Sequence, residues 1–234
     1  MFFIGYKGNT HMTKSKSQAK TLTSFQVNKL FSRIAIMSNP KQKAAIMALS
    51  LSGLRVTELS LVTVKDLITK AGDIRTEVAL RAAITKGCKP RSVWLSERTR
   101  GILQEYVLYR MERKQGVSIS SDYQGLNPVS AFILSGKGYS YSLKAKHRTN
   151  MDGKDITYYA ADSVELLIRQ IYKKCGLFGA SSHSGRRSLA TNLNEANVAL
   201  ELIARTLGHR ELQTSLIYID ISPKQLMKAA ELAF

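Results

Sequence analysis

His183-Ser184-Gly185-Arg186-Arg187-Ser188-Leu189-Ala190-Thr191 is followed by Leu207-Gly208-His209 and then by Leu216-Ile217-Tyr218. Between the first two motifs, Leu200, Ile203, Ala204 and Leu207 fall at i, i+3, i+4 and i+7, with Gly208 as a stop, which predicts a helix ending in a glycine cap. His183 and Arg186 are three apart, so a helix starting there carries both on one face, where an imidazole and a guanidinium converge on one phosphate. His209 closes the next helix, and Tyr218 follows nine residues later in a new apolar segment. A second tyrosine, Tyr172, shares a helical period with Val164, Leu167, Ile168 and Ile171 and reads as core.

The bulk properties agree with an anionic partner. The 234 residues hold Lys+Arg 35 against Asp+Glu 17, a formal net charge of +18, with a pI near 10.0. The length suffices for one domain with a real core, burying roughly 70–75% of the unfolded chain's surface. No run of about 18 apolar residues exists, so nothing in the sequence predicts a membrane span. Two cysteines, Cys88 and Cys175, lie far apart without a C-x-x-C pair, which suggests neither a zinc site nor a disulfide framework and fits a reducing cytoplasm.

Upstream, Gly53-Leu54-Arg55-Val56-Thr57-Glu58-Leu59 ends a helix read over Lys41 to Ser52, and Pro40 is placed to open that helix. Glu58 is set to orient the Arg55 guanidinium or to cap the short helix that follows. Residues 76–95 change period: Val78, Leu80 and Ala82 alternate, as do Val93 and Leu95, around Lys86-Gly87-Cys88-Lys89-Pro90-Arg91. This predicts a β-hairpin with a basic tip.

With these residues in order, Arg55, Lys86, His183-x-x-Arg186, Leu207-Gly208-His209 and Tyr218, the chain resembles the catalytic domain of the phage-integrase-type tyrosine recombinases from about Gly53 to Pro223. The resemblance implies a mainly α fold with a small antiparallel hairpin or sheet. It also implies a catalytic set of Tyr218, Arg55, Lys86, His183, Arg186 and His209. Thr85-Lys86-Gly87 matches the family's minor-groove lysine best, and Lys89 is the competing choice. Two features depart from the pattern. A glycine stands before Arg186 where a leucine is usual, which weakens helix entry, and the adjacent Arg187 leaves the phosphate-binding arginine to be chosen on spacing alone. The family's N-terminal clamp domain has no counterpart in the roughly twenty residues before the first helix, so the likeness is to the short, catalytic-domain-only members.

The chemistry follows from residue types. A phosphodiester and its pentacoordinate transition state are anionic, and two arginines with two histidines offer charge-assisted donors to them. A phenol with a pKa of about 10 costs roughly 4 kcal/mol to ionise at pH 7 unless cations or a base assist. A lysine protonating the departing 5′ oxygen leaves a 3′-phosphotyrosine, and neither metal nor nucleotide is needed. The sequence holds no Gly-rich phosphate loop, and a zinc site built on His183 and His209 lacks a carboxylate or third ligand.

The organisation expected is a basic N-terminal arm over 1–20, which either touches DNA or is a solvated tail, a catalytic domain over 21–222, and a helical tail over 223–234. That tail carries Leu226, Ala229, Ala230 and Ala233 on one face and packs on a neighbouring protomer or folds back on its own domain. In the first helix Thr23 is the cap and Phe25, Leu30, Phe31 and Ile34 are core positions. A helix over about 97–114 presents Arg98, Arg100, Arg110, Arg113 and Lys114 as a solvated face. The stretch 116–157 is longer than the family requires; Lys144, Lys146 and Arg148, interleaved with aromatics, suit either DNA backbone contact or a flexible surface loop, and Tyr158 and Tyr159 mark the start of the next helix. Lys89, Arg91, Arg187, Lys144, Lys146 and Arg148 are the expected DNA contacts. Double-stranded DNA is the expected partner, with a tetramer in synapsis, accessory DNA-bending or recombination-directing proteins, and a cytoplasmic, nucleoid-associated location. A non-cutting DNA-binding accessory protein and a type IB topoisomerase-like enzyme are the alternatives.

Overall fold

The structure, a computed structural model, describes residues 18–85, 87–150, 153–209, 211–220, 226–227 and 231. Lys86, the N-terminal arm through residue 17 and most of the tail therefore lie outside the described residues.

Thr23 begins the first helix, α1 (Ser24–Ala35), with a capping box: its hydroxyl accepts from Gln26 N while the Gln26 side chain accepts from Thr23 N. Leu30 and Ile34 face the core, but Phe25 is 75% exposed, because its position falls on the opposite side of the helix. Asn39 precedes α2 (Pro40–Leu51), and proline at the first helical position loses no hydrogen bond there. Ala45, Ile46, Met47, Ala48 and Leu49 are all buried, a run without helical periodicity that fits a helix enclosed on every side. Helix α2 is the central post: α1, α5 (Glu97–Glu112) and α7 (Ser184–Glu195) pack around it, and α3 (Val56–Leu61) and α4 (Val64–Leu67) follow it directly.

The hairpin forms as read. Strands β1 (Glu77–Leu80) and β2 (Arg91–Trp94) pair antiparallel with Val78 opposite Val93, both buried, and a 3-10 turn at Ala82–Ile84 leads into the tip. Thr85 Oγ lies 3.0 Å from Ala82 O and 2.5 Å from Lys89 O, and its one hydroxyl proton is shared between the two carbonyls.

Three further expectations are corrected. Arg110 is not on a solvated face: it is fully buried, and its guanidinium donates to the carbonyls of Gln115, Ala131 and Phe132 and to Ser130 Oγ, pinning the 115–132 segment to α5. The part of the 116–157 stretch read as a flexible loop holds a second two-stranded sheet, β3 (Lys144–Thr149) paired with β4 (Asp155–Ala160). Tyr158 and Tyr159 therefore sit in β4, and α6 (Asp162–Lys174) starts after them; a Tyr-Tyr pair with Ile156 and Thr157 satisfies strand preference at least as well as helix preference. Tyr172 lies on α6 at 1% exposure, with burial pushing its phenol well above the ordinary range, so it is core. Helix α7 is followed by α8 (Leu200–Leu207) and α9 (Leu212–Leu216), and a small cluster of Ala190, Ile203 and Leu207 holds α7 to α8, with Tyr218 and Ile219 packed on it. Among the described residues no helix is long and apolar enough to cross a membrane.

Candidate active site

The site begins with one carboxylate. Glu58, at the third position of α3, is fully buried and accepts from Arg55 N (2.7 Å) and Arg55 NH1 (2.9 Å), so the same side chain caps the helix and fixes the guanidinium. Burial pushes this carboxyl up, but the hydrogen bonds and charges of Arg91 and Arg55 outweigh it and hold the group below the usual carboxylate range. Arg55 keeps a side-chain exposure of 23%, facing solvent at the front of the cluster.

Arg186 comes from the first turn of α7. Ser184 Oγ accepts from Ser181 N and Ser188 Oγ donates to Ser184 O, which starts the helix despite Gly185. The glycine that departs from the family pattern has a steric cause: a Cβ at 185 would stand 2.4 Å from Ser50 O and 2.7 Å from Ser50 C. Helices α7 and α2 approach so closely that no side chain fits between them. This contact buries Arg186 to 1% exposure, where NH1 donates to Gly53 O and NH2 to Leu207 O, both at 2.6 Å. Burial, followed by the charges of Arg55 and Arg91, lowers its pKa to about 10, so it remains a cation at neutral pH.

Gly208 ends α8 in the left-handed region at φ +64°, and the chain reverses to deliver His209. His209 Nε2 lies 3.0 Å from Arg186 NH2, and Nδ1 lies 2.9 Å from the hydroxyl of Ser215, which is itself fully buried. A guanidinium only donates, so Nε2 accepts and the ring proton resides on Nδ1, donating to Ser215. The neutral ring this requires agrees with a pKa lowered to about 4 by burial and by Arg186, Arg55 and Arg91. Tyr218 completes the group in cis: its ring centroid is 5.1 Å from that of His209 and 6.5 Å from that of His183, with the Arg186 guanidinium 5.7 Å away over the ring. His183 is the N-terminal cap of α7 and exposed.

The structure thus brings together Arg55, His183, Arg186, His209 and Tyr218. Two residues expected at the DNA surface are instead buried. Arg91 has 7% side-chain exposure and is clamped on Glu58. Arg187 has 6%: it pairs with Asp220, donates to Gln18 Oε1 (2.6 Å) and holds Ile217 O (3.1 Å). The choice between the paired arginines is therefore geometric, since Arg186 faces His209 and Tyr218 while Arg187 holds the chain on either side of the tyrosine, at Ile217 O and Asp220. Lys89 is exposed at the hairpin tip. Lys144, Lys146 and Arg148 alternate along one face of β3, opposite Ala160, Tyr158 and Ile156; Lys146 pairs with Asp162 at 2.7 Å and Arg148 lies over the Tyr158 ring at 5.5 Å. Sequence reading missed Ser215 as the partner of His209; only the helical turn over Leu212–Leu216 brings that hydroxyl back. Among the described residues no group of three His, Cys, Asp or Glu side chains is placed to share a metal ion. A polar hollow of about 590 Å³ beside Asp73, Arg100 and Gln124 shares no residue with this cluster.

Compared with known families, residues 20–225 match the description of the phage integrase family. The chain belongs to this family. Within it, the chain is 27% identical over 218 residues to tyrosine recombinase XerA of Pyrococcus horikoshii, covering 93% of this chain and 62% of the relative. It is 25% identical over 215 residues to transposase A from transposon Tn554 of Staphylococcus aureus, covering 90% and 51%. It therefore spans less than two thirds of the length of either relative. The fold is that of a crystal structure of XerA recombinase, with a TM-score of 0.65 at 18% identity over 92% of this chain and 65% of that one. It is also that of XerH site-specific recombinase bound to its palindromic difH substrate, with a TM-score of 0.62 at 21% identity over 92% and 53%.

Proposed function

We propose that this chain is the catalytic unit of a site-specific DNA recombinase that cuts and rejoins duplex DNA through a covalent 3′-phosphotyrosine, without metal or ATP. The observation that carries this reading is the convergence of Tyr218, Arg186 and His209 beside the Arg55–Glu58 pair. Three guanidiniums, those of Arg55, Arg91 and Arg186, surround one carboxylate, so the site has an uncompensated positive charge where a scissile phosphate fits. Arg55 and the donors of Arg186 held neither by carbonyls nor by His209 take the non-bridging oxygens. The Tyr218 hydroxyl oxygen bonds to phosphorus, its proton passes to His183, and the 5′ oxygen leaves with a proton from Lys86. Because the phosphotyrosine retains the bond energy of the diester, attack by a second 5′ hydroxyl reverses the step on a new partner.

Lys89 and the basic face of β3 with Lys144, Lys146 and Arg148 extend this reading to the DNA backbone, a two-stranded ribbon being narrow enough for a groove. Assembly into a tetramer, with the 223–234 tail packing in trans, is part of the proposal. An apolar groove of about 480 Å³ lined by Phe31, Leu51, Trp94, Ile102, Leu189 and Leu202 has the chemistry such a tail requires. Work on DNA also implies a cytoplasmic, nucleoid-associated protein. The test uses nicked suicide duplexes selected from a random-sequence pool by covalent capture in excess EDTA. Tyr218→Phe is expected to abolish the adduct with DNA affinity within about 2-fold of wild type, since one hydroxyl adds little to an electrostatic interface. An adduct persisting in that variant overturns the assignment.

A further inference from the structure

Arg91 was a surface cation by sequence, yet it lies beneath the site and shares an acceptor with each of the two arginines that face the phosphate. Its Nε donates to Glu58 Oε1 at 3.0 Å, the oxygen that also accepts from Arg55 NH1. Its NH2 donates to Glu58 Oε2 at 2.5 Å and to Gly53 O at 2.9 Å, and Gly53 O also accepts from Arg186 NH1. The stem passes under the turn that presents His209, for a Cβ at Gly208 would come 2.4 Å from Arg91 Cδ. We propose that Arg91 is a positioning residue for strand cleavage, a buried fork that sets the Arg55 and Arg186 guanidiniums relative to each other and ties both to the hairpin bearing Lys86.

The physical case rests on what each partner loses without it. Arg55 and Arg186 are like charges that repel across the site, and their separation is fixed by a shared acceptor network rather than by mutual contact. Glu58 alone grips Arg55; the link from Glu58 to the Gly53 carbonyl, and so to Arg186, runs through the Arg91 fork. Only arginine presents a planar set of donors that spans both oxygens of a carboxylate and still reaches a carbonyl; lysine keeps the charge but makes a single point contact.

This inference rests on the recombinase reading, and its test separates the two. Single-turnover cleavage at saturating DNA and Kd by gel shift are measured on the nicked duplexes captured by wild type, for Arg91→Lys, Arg91→Met, Glu58→Gln and the Arg91→Met/Glu58→Gln double variant. We expect cleavage to slow about 10-fold in Arg91→Lys and about 100-fold in Arg91→Met, the scale of an ångström-sized misplacement, with Kd within about 3-fold of wild type. If Arg91 acts through Glu58, Arg91→Met slows the Glu58→Gln protein by less than about 3-fold further. Should Arg91→Met fail to fold, Arg91→Lys, which retains the buried charge, decides the matter. Wild-type cleavage rates in Arg91→Lys, or losses in the two single variants that multiply in the double, overturn the positioning role. A wild type that forms no Tyr218-dependent adduct overturns the recombinase reading itself.

Discussion

Replacing Gly185 with alanine sets two effects of similar size against each other, and the structure fixes the sign. Helix propensity alone favours alanine by up to about 1 kcal/mol. The new Cβ, however, meets backbone: Ser50 O at 2.4 Å, Ser50 C at 2.7 Å and Ser50 Oγ at 2.9 Å. Backbone atoms of α2 cannot rotate away as a side-chain tip can, so α7 must withdraw by about 0.6 Å (from 2.4 Å to 3.0 Å) merely to reach the closest tolerable contact. Overpacking of this kind costs about 1–3 kcal/mol, so the expected net effect is a loss of about 1–2 kcal/mol, read as a lower urea midpoint with an unchanged slope. The movement also carries Arg186, the next residue, away from Gly53 O and Leu207 O, and cleavage is expected to slow by about 100-fold while DNA binding holds. A variant with a raised urea midpoint and wild-type cleavage would show that the α2–α7 approach is not a constraint and would refute this reasoning.

Two further outcomes are expected. His209 has a folded pKa of about 4 against about 6.5 for the free side chain, so between these values the unfolded chain binds more protons; stability therefore falls as pH drops from about 6.5 to about 4 and levels off below. Urea midpoints across that window should decline less steeply in His209→Gln, and an unchanged slope would mean that another group titrates there. Truncation after Pro223 is expected to leave a folded protein that still binds and nicks DNA but no longer exchanges strands between two duplexes; recombination at the wild-type rate would exclude tail packing in trans.

Much of the architecture was legible because it depends on local patterns. The Thr23 cap, Pro40 at a helix start, the alternation around Val78 and Val93, and the Gly208 stop each write their own geometry into a few residues. The cluster of Arg55, His183, Arg186, His209 and Tyr218 was readable as ordered motifs. Three things were not. Burial of a basic residue depends on what the fold places opposite it: Arg91, Arg110 and Arg187 look like surface charges until Glu58, the carbonyls near Phe132 and Asp220 are brought to them from elsewhere in the chain. Gly185 reads as a helix weakness because its neighbour, Ser50, is remote in sequence. The ribbon of β3 and β4 was obscured because its strands expose both faces, so no apolar alternation marks them.

The segment on either side of Tyr218 is held from two directions. Arg187 grips Ile217 O and Asp220, Thr191 exchanges hydrogen bonds with Tyr218 O and Asp220 N, and Thr21 donates to Asp220 from the stretch ahead of α1, where Gln18 also receives Arg187. The two distant parts of the polypeptide are thereby stitched together beside Tyr218. Whatever is fused upstream of Gln18, whether an affinity tag or a DNA-gripping module, pulls on a leash whose other end is the tyrosine loop. Load applied there is shared through Arg187 and Thr21 with the backbone on either side of Tyr218, so a fusion at that end is expected to shift the tyrosine more than one attached elsewhere.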